Sequence, residues 1–208
     1  NDIYDRFEVE HGSFDLKPNY NIAPSFDMPV ITQENKLQIM KWGYVGPWEK
    51  NEKPKIQTIN GRDDKVAINP FYKTAFIESR CIVPASGFYE WKKENGGKTP
   101  YYFHLKNDEM FGFAGLYSIW KHPSGKDIPT YLIITTRPNK IMEPIHDRMP
   151  VILGKDVEKD WLNPGITEAK DLLEMLKPYP NDLMEAYEVS KRVNSPGEND
   201  ERLIDQHQ

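Results

Sequence analysis

The first three quarters of this chain is a succession of short apolar runs cut by Gly, Pro and Asn, a pattern that rules out long helices and calls for many short strands. Runs of this kind fall at Met28–Thr32, Leu37–Tyr44, Cys81–Val83, Tyr101–Leu105, Met110–Tyr117 and Tyr131–Thr136. Tyr101–Leu105 and Phe111–Leu116 flank Lys106-Asn107-Asp108-Glu109, which predicts a hairpin. Helical periodicity is confined to Asn69–Ser79, Val157–Leu162 and Glu168–Leu176; in the last of these Ala169, Leu172, Leu173 and Leu176 share a face. The expected class is α+β, a mainly antiparallel sheet with peripheral helices. At 208 residues one hydrophobic core can still serve the whole chain, so residues 1–193 are expected to form one domain. From Asn194 the sequence turns to Pro, Gly, Asn and acids, and 194–208 is expected to be a flexible tail.

Composition narrows the chemistry. The single cysteine, Cys81, excludes an internal disulfide or a cysteine-cluster metal site and fits a reducing cytoplasm. It lies in an apolar run, where a buried, inert thiol is the better reading. The five histidines never fall at ligand spacing, so no metal is expected, and no cofactor loop is present. No apolar run approaches the ~18 residues a membrane span needs. The net charge of -5 argues against nucleic acid, yet residues 36–93 carry 11 Lys/Arg against 6 Asp/Glu. Either this is chance surface charge or it marks a local basic face.

Four segments combine reactive side chains with rigid backbone. Asn19-Tyr20-Asn21-Ile22-Ala23-Pro24 is a polar loop fixed by a proline. In Trp42-Gly43-Tyr44-Val45-Gly46-Pro47-Trp48, the tryptophans can pack in a core or offer stacking platforms for bases. Thr58-Ile59-Asn60-Gly61-Arg62-Asp63 is followed by Arg80–Ala85 and then by Gly87-Phe88-Tyr89-Glu90-Trp91. Aromatic surroundings would raise the Glu90 carboxyl toward the range useful for proton transfer, although pairing with Lys92 is an equally good structural reading. Asn60 can both donate and accept, and Arg62 offers a planar fork for phosphate. Finally, Thr135-Thr136-Arg137-Pro138-Asn139 precedes Pro144-Ile145-His146-Asp147-Arg148-Met149-Pro150, where His146 is either structural or a proton shuttle on a stiff loop.

Taken in this order, the segments resemble the SRAP (SOS response-associated peptidase) family along nearly the whole chain. The resemblance implies a barrel-like fold and capture of abasic sites in single-stranded DNA. In the family a leading cysteine, in a Cys-Gly-Arg-Phe type start, condenses through its thiol and α-amine with the sugar aldehyde, giving a thiazolidine crosslink; autoproteolytic peptidase activity is a further implication. No such start appears in this sequence, which opens at Asn1, and the cysteine is expected upstream. By motif, the resemblance makes Glu90 the proton shuttle, Asn60 the orienter of the amine, and His146 a phosphate contact that assists ring opening. It assigns DNA contacts to Arg62, Trp42, Asn21, Pro24, Thr135 and Arg148. A monomer in the cytoplasm, nucleoid-associated in a prokaryote, is expected. A peptidase acting on other proteins and a non-catalytic DNA- or protein-binding module are the alternatives.

Overall fold

A computed structural model describes residues 3–10, 12, 14–94 and 96–207. In chain order the strands are β1 (Asp27–Thr32), β2 (Leu37–Trp42), β3 (Asn60–Arg62), β4 (Arg80–Ala85), β5 (Gly87–Glu94), β6 (Gly97–Leu105), β7 (Phe111–Lys121), β8 (Asp127–Thr136), β9 (Met149–Pro150), β10 (Ile152–Leu153) and β11 (Met184–Glu188). The helices are short: α1 (Ile3–Phe7), α2 (Asp63–Val66), α3 (Lys73–Glu78), α4 (Lys155–Leu162) and α5 (Ala169–Glu174).

Five strands close on themselves. β7 pairs with β4, β4 with β1, β1 with β2, β2 with β8, and β8 returns to β7. Only the β2–β8 contact in this ring is parallel. The α+β class with a barrel-like sheet is therefore what the chain adopts. The β1–β2 corner shows why the local sequence turns there. Asn35 takes φ +55, a left-handed conformation that asparagine tolerates, and its N–H closes onto the Thr32 carbonyl at 2.9 Å.

The barrel strands are buried on both faces, which is why Tyr131–Thr136 is continuously buried, with Tyr131–Ile134 an unbroken apolar run, instead of alternating. Along β8, Leu132 and Ile134 pack in one cluster with Phe76 of α3, Trp161 of α4 and Leu172 of α5. Tyr131 and Ile133 point the other way, into a cluster with Phe103 of β6 and Met184 of β11. Close strand crossing requires Gly115, where a Cβ would stand 2.8 Å from the Cys81 Sγ and 2.9 Å from the Leu132 carbonyl oxygen. Cys81 itself is fully buried, and burial pushes its thiol well above the ordinary range.

A second sheet, ordered β11–β6–β5, lies against the barrel. This arrangement replaces the hairpin expected across Lys106–Glu109. β6 pairs with β5 and β11 while β7 pairs with β4, β8 and β10, so the 106–109 connection carries the chain from one sheet to the other. The stretch 194–207, expected to be mobile from composition, makes defined contacts: Leu203 is buried and Val189 bridges Gln206.

Arg80 ties the helices to the barrel. Its side chain is fully buried at the start of β4 and donates to carbonyl oxygens of Phe76, Ile77, Trp161, Asn163 and Ile166. Phe76, Ile77 and Trp161 lie in the last turns of α3 and α4, where the helix dipole favours a cation, and Asn163 and Ile166 lie in the turn that follows α4. Replacing it by Met should leave several buried acceptors unsatisfied and lower the unfolding free energy by about 3 kcal/mol. Urea denaturation of Arg80→Met measures this, and a midpoint equal to wild type would show the cap to be dispensable.

Candidate active site on the extended end of strand 8

The C-terminal half of β8 outruns the barrel, and there it acquires new neighbours on both edges. On one edge β3 pairs in parallel, Asn60 opposite Ile133 and Arg62 opposite Thr135, continuing the line that β2 began at Thr130 and Tyr131. On the other edge β9 pairs Pro150 with Thr135 and Met149 with Thr136. One strand thus aligns the Asn60–Arg62 segment with the loop that ends in Arg148-Met149-Pro150.

Residues 43–59, between β2 and β3, form an excursion closed at its base. Gly43 begins it at φ +144, a conformation that disfavours a β-carbon, and Tyr44 bridges Thr58. Trp42 seals it by donating its indole N–H to the Ile59 carbonyl at 2.9 Å while stacking on Tyr131, centroids 6.4 Å apart. Trp42 is therefore half-buried and committed. Trp48, at the far end, is 53% exposed, meets Phe71 edge to face, and borders a hollow of about 350 Å³ that Lys50 and Lys55 also line. Of the pair, Trp48 has the free ring face.

The histidine loop is held by three separate devices. The Asn139 side-chain oxygen accepts from the Ile141 and Met142 N–H groups at 3.2 and 3.0 Å, capping the turn that leads to His146. His146 sets its Nδ1 3.1 Å from the Arg148 backbone N–H, on a side chain 40% exposed. Arg148 donates to the Asp63 carboxylate at 2.6 Å and to the Thr135 carbonyl oxygen. The other oxygen of Asp63 accepts from the Thr136 hydroxyl at 2.7 Å. Asp63, which the sequence reading passed over, thus pins β3, β8 and the histidine loop together.

Glu90 enters from the second sheet. On β5 it stands opposite Tyr101, on the face that Phe88 shares, and Phe88 stacks on Phe103 at 5.1 Å and meets Phe113 edge-on at 5.7 Å. Burial pushes its carboxyl above the ordinary glutamate range; the His146 imidazole opposes this, as does the Trp91 backbone N–H, and Asp147 adds to it. Lys92 pairs with Glu94 at 3.1 Å, so the alternative Glu90–Lys92 ion pair does not form. Arg62 is exposed, held by Asp64 at 2.9 Å, and its charged form is favoured by Asp64 first and by Asp63 and Asp147 in turn. Asp147 is thus within electrostatic reach of both Glu90 and Arg62.

Glu90, His146 and Arg62 accordingly share one neighbourhood, with Asn60 exposed at the start of β3 and Trp42 at its base. Pro24 is exposed in a turn joined to Trp42 through the Ser25 N–H at 2.8 Å. Asn21, Thr135 and Arg148 are each engaged in contacts within the fold. Asn21 is buried and donates to the Val193 and Ser195 carbonyls, and Thr135 is buried beneath Arg148, whose guanidinium faces Asp63.

Comparison with known proteins agrees with this architecture. The model of the SOS response associated peptidase (SRAP) family matches residues 1–196. The abasic site processing protein YoqW of Bacillus subtilis is 42% identical over 212 residues, covering 99% of this chain and 95% of its own. The abasic site processing protein HMCES of Xenopus tropicalis is 30% identical, covering 88% of this chain and 64% of its own. A solved structure from Bacteroides thetaiotaomicron superposes with a TM-score of 0.81 at 32% identity, covering 88% of this chain and 82% of that one. Another, from Bordetella bronchiseptica, gives 0.79 at 25% identity, covering 90% and 94%. On these grounds the chain belongs to the SRAP family.

Proposed function

We propose that this protein captures abasic sites in single-stranded DNA by forming a covalent thiazolidine through a cysteine encoded ahead of Asn1. The observation that carries the reading is Glu90, a carboxyl raised by burial, sharing an electrostatic neighbourhood with His146 and, through Asp147, with Arg62. The relatives' role in abasic site processing supports it.

The chemistry suits such a group. An abasic sugar must open to its aldehyde before it can be attacked, and opening needs a proton on the ring oxygen. A carboxyl raised above its ordinary range still holds that proton where a free glutamate would not. The α-amine of a leading cysteine, with a pKa near ~8, then condenses with the aldehyde and expels water. The thiolate adds to the imine carbon and closes a five-membered ring. Asn60, exposed beside this point, orients the amine. His146 offers its Nε2 edge to phosphate or to the ring oxygen, and Arg62 takes a flanking phosphate. The free face of Trp48, with Lys50 and Lys55 beside it, receives an unpaired base. Trp42 and Pro24 border the cleft, while Asn21, Thr135 and Arg148 contribute from behind it.

The test uses the product of the complete reading frame. Mixed with a single-stranded oligonucleotide containing an abasic site, it should give a shifted band on a denaturing gel; absence of that band overturns the reading.

Glu90→Gln should slow adduct formation by about a hundredfold. The same variant carries a stability signature with a definite sign. A carboxyl whose folded pKa exceeds its unfolded value opposes folding only where the unfolded chain ionises it, so its penalty is absent in acid and grows as pH rises toward the folded value. Glu90→Gln should therefore gain stability relative to wild type as pH climbs through that window. Melting differences that stay constant across pH would remove the buried carboxyl from the scheme.

Arg62→Ala should weaken DNA binding and flatten the slope of log K against log salt by ~0.7, the share of one phosphate on a single strand. An unchanged slope in a titration series would show that Arg62 does not meet phosphate.

A further inference from the structure

Strand alternation puts Tyr89 and Trp91 on the face of β5 opposite Glu90. Both are hydrogen-bonded from behind. The Tyr89 hydroxyl donates to the Tyr20 carbonyl at 2.8 Å, and the Trp91 indole N–H donates to the Asn194 side-chain oxygen at 2.7 Å. Tyr20 in turn gives its own N–H to the Asn199 side chain at 2.9 Å, and Asn21 donates to the Val193 and Ser195 carbonyls at 3.2 and 3.0 Å. Four of these five contacts run to residues 193–199, on a segment that returns across the back of the small sheet.

That segment is anchored independently of the bonds it makes to the site. Val193 is 3% exposed and Leu203 is fully buried. The Tyr187 hydroxyl donates to the Ile204 carbonyl at 2.8 Å, and Val189 bridges Gln206. Asp200 faces both Arg192 and Arg202, an internal latch that holds the two short 3-10 turns together.

We infer that residues 190–207 form a strap that positions Glu90, with Asn194 as its positioning residue acting through Trp91. The strap holds Trp91 directly and Tyr89 through Tyr20, both from the far face, so the direction of the carboxyl on the near face is set without any contact to it. Asn194 and Asn199 are exposed, and such bonds add little to overall stability. Their arrangement is that of an alignment device, for which a small angular error matters more than the energy of one bond.

This inference rests on the proposed reaction for its kinetic test and has a second test that does not. In the complete gene product, Asn194→Leu removes the acceptor. It should slow adduct formation by about tenfold, while binding of an oligonucleotide with an unreactive tetrahydrofuran lesion changes by less than about twofold. Trp91→Phe removes the donor and should give the same loss. The double variant should be no slower than either single one, and Asn194→Asp, which keeps the acceptor, should recover most of the rate. Full activity in Asn194→Leu, or a rate loss matched by loss of folded protein in a thermal melt, overturns the inference. If wild type itself forms no adduct, the proposed function fails and the strap is judged by carbon-13 NMR titration of the Glu90 carboxyl. Asn194→Leu must then displace its midpoint, and an unmoved midpoint rejects the strap as a positioning element.

Discussion

The partly buried ion pair between Asp63 and Arg148 is the contact on which the geometry of the candidate site depends. Both side chains are mostly withdrawn from water, at 23% and 19% exposure, so the pair is neither a freely solvated surface bridge nor a fully desolvated one. Its importance is in what it joins. Asp63 starts the helix that follows β3, Thr136 ends β8, and Arg148 closes the histidine loop; one carboxylate binds the other two. The two-residue strand β9 supplies the remaining register between the histidine loop and β8. A ladder that short fixes translation along β8 but leaves the tilt of the loop free, and the tilt decides where the imidazole edge points.

Glu90 is brought to the same place by a different force. The small sheet meets the barrel through aromatic packing, with Phe88 stacked on Phe103 and edge-on to Phe113. These rings bury enough apolar surface to hold the sheet in place. Phe88 shares its face of β5 with the carboxyl two residues on, whose burial raises its pKa. Attachment of the sheet and the protonation behaviour of its key side chain both depend on the burial of this face. Substitutions that loosen Phe88 therefore act on both, even though Phe88 has no ionisable group.

Most of the barrel was legible in the sequence because its strands are short, apolar and bounded by turn residues. Runs such as Tyr131–Thr136 correspond directly to observed strands. β5 and β11 escaped that reading, since Gly87–Glu94 ends in Lys and Glu and Met184–Glu188 carries two acids, so neither presents an apolar run. The 106–109 connection was misread for a related reason. Local turn chemistry shows where a chain reverses but not whether the next strand joins the same sheet. Among the candidate site residues, the motif order picked out Glu90 and His146, which feel each other's charge. It could not separate Trp42, whose indole N–H is spent on the Ile59 carbonyl, from Trp48, whose ring is open. Nor could it tell an asparagine that lines a cleft from one that, like Asn21, ties a loop to a distant strap. The compositional signal after Asn194 was equally ambiguous. Pro, Gly and Asn are frequent in mobile tails, and they are also what tight 3-10 turns and side-chain caps are made of. In the strap Leu203 is buried and the Asp200 side chain caps such a turn.

The charge balance follows the same logic of local arrangement over total. A net charge of -5 sets the far field, but binding to a phosphate chain is governed by fields within about a Debye length, ~8 Å at physiological salt. Within that range Arg62 is flanked by Asp64, Asp63 and Asp147, and Asp64 already occupies its fork in a two-point contact. A phosphate meeting Arg62 would have to displace that carboxylate, as it would not at an unpaired arginine. The exposed Lys50 and Lys55 beside Trp48 carry no such partner in the described contacts. The excursion between β2 and β3 therefore gathers two exposed lysines and the Glu49 carboxylate around the exposed Trp48 ring.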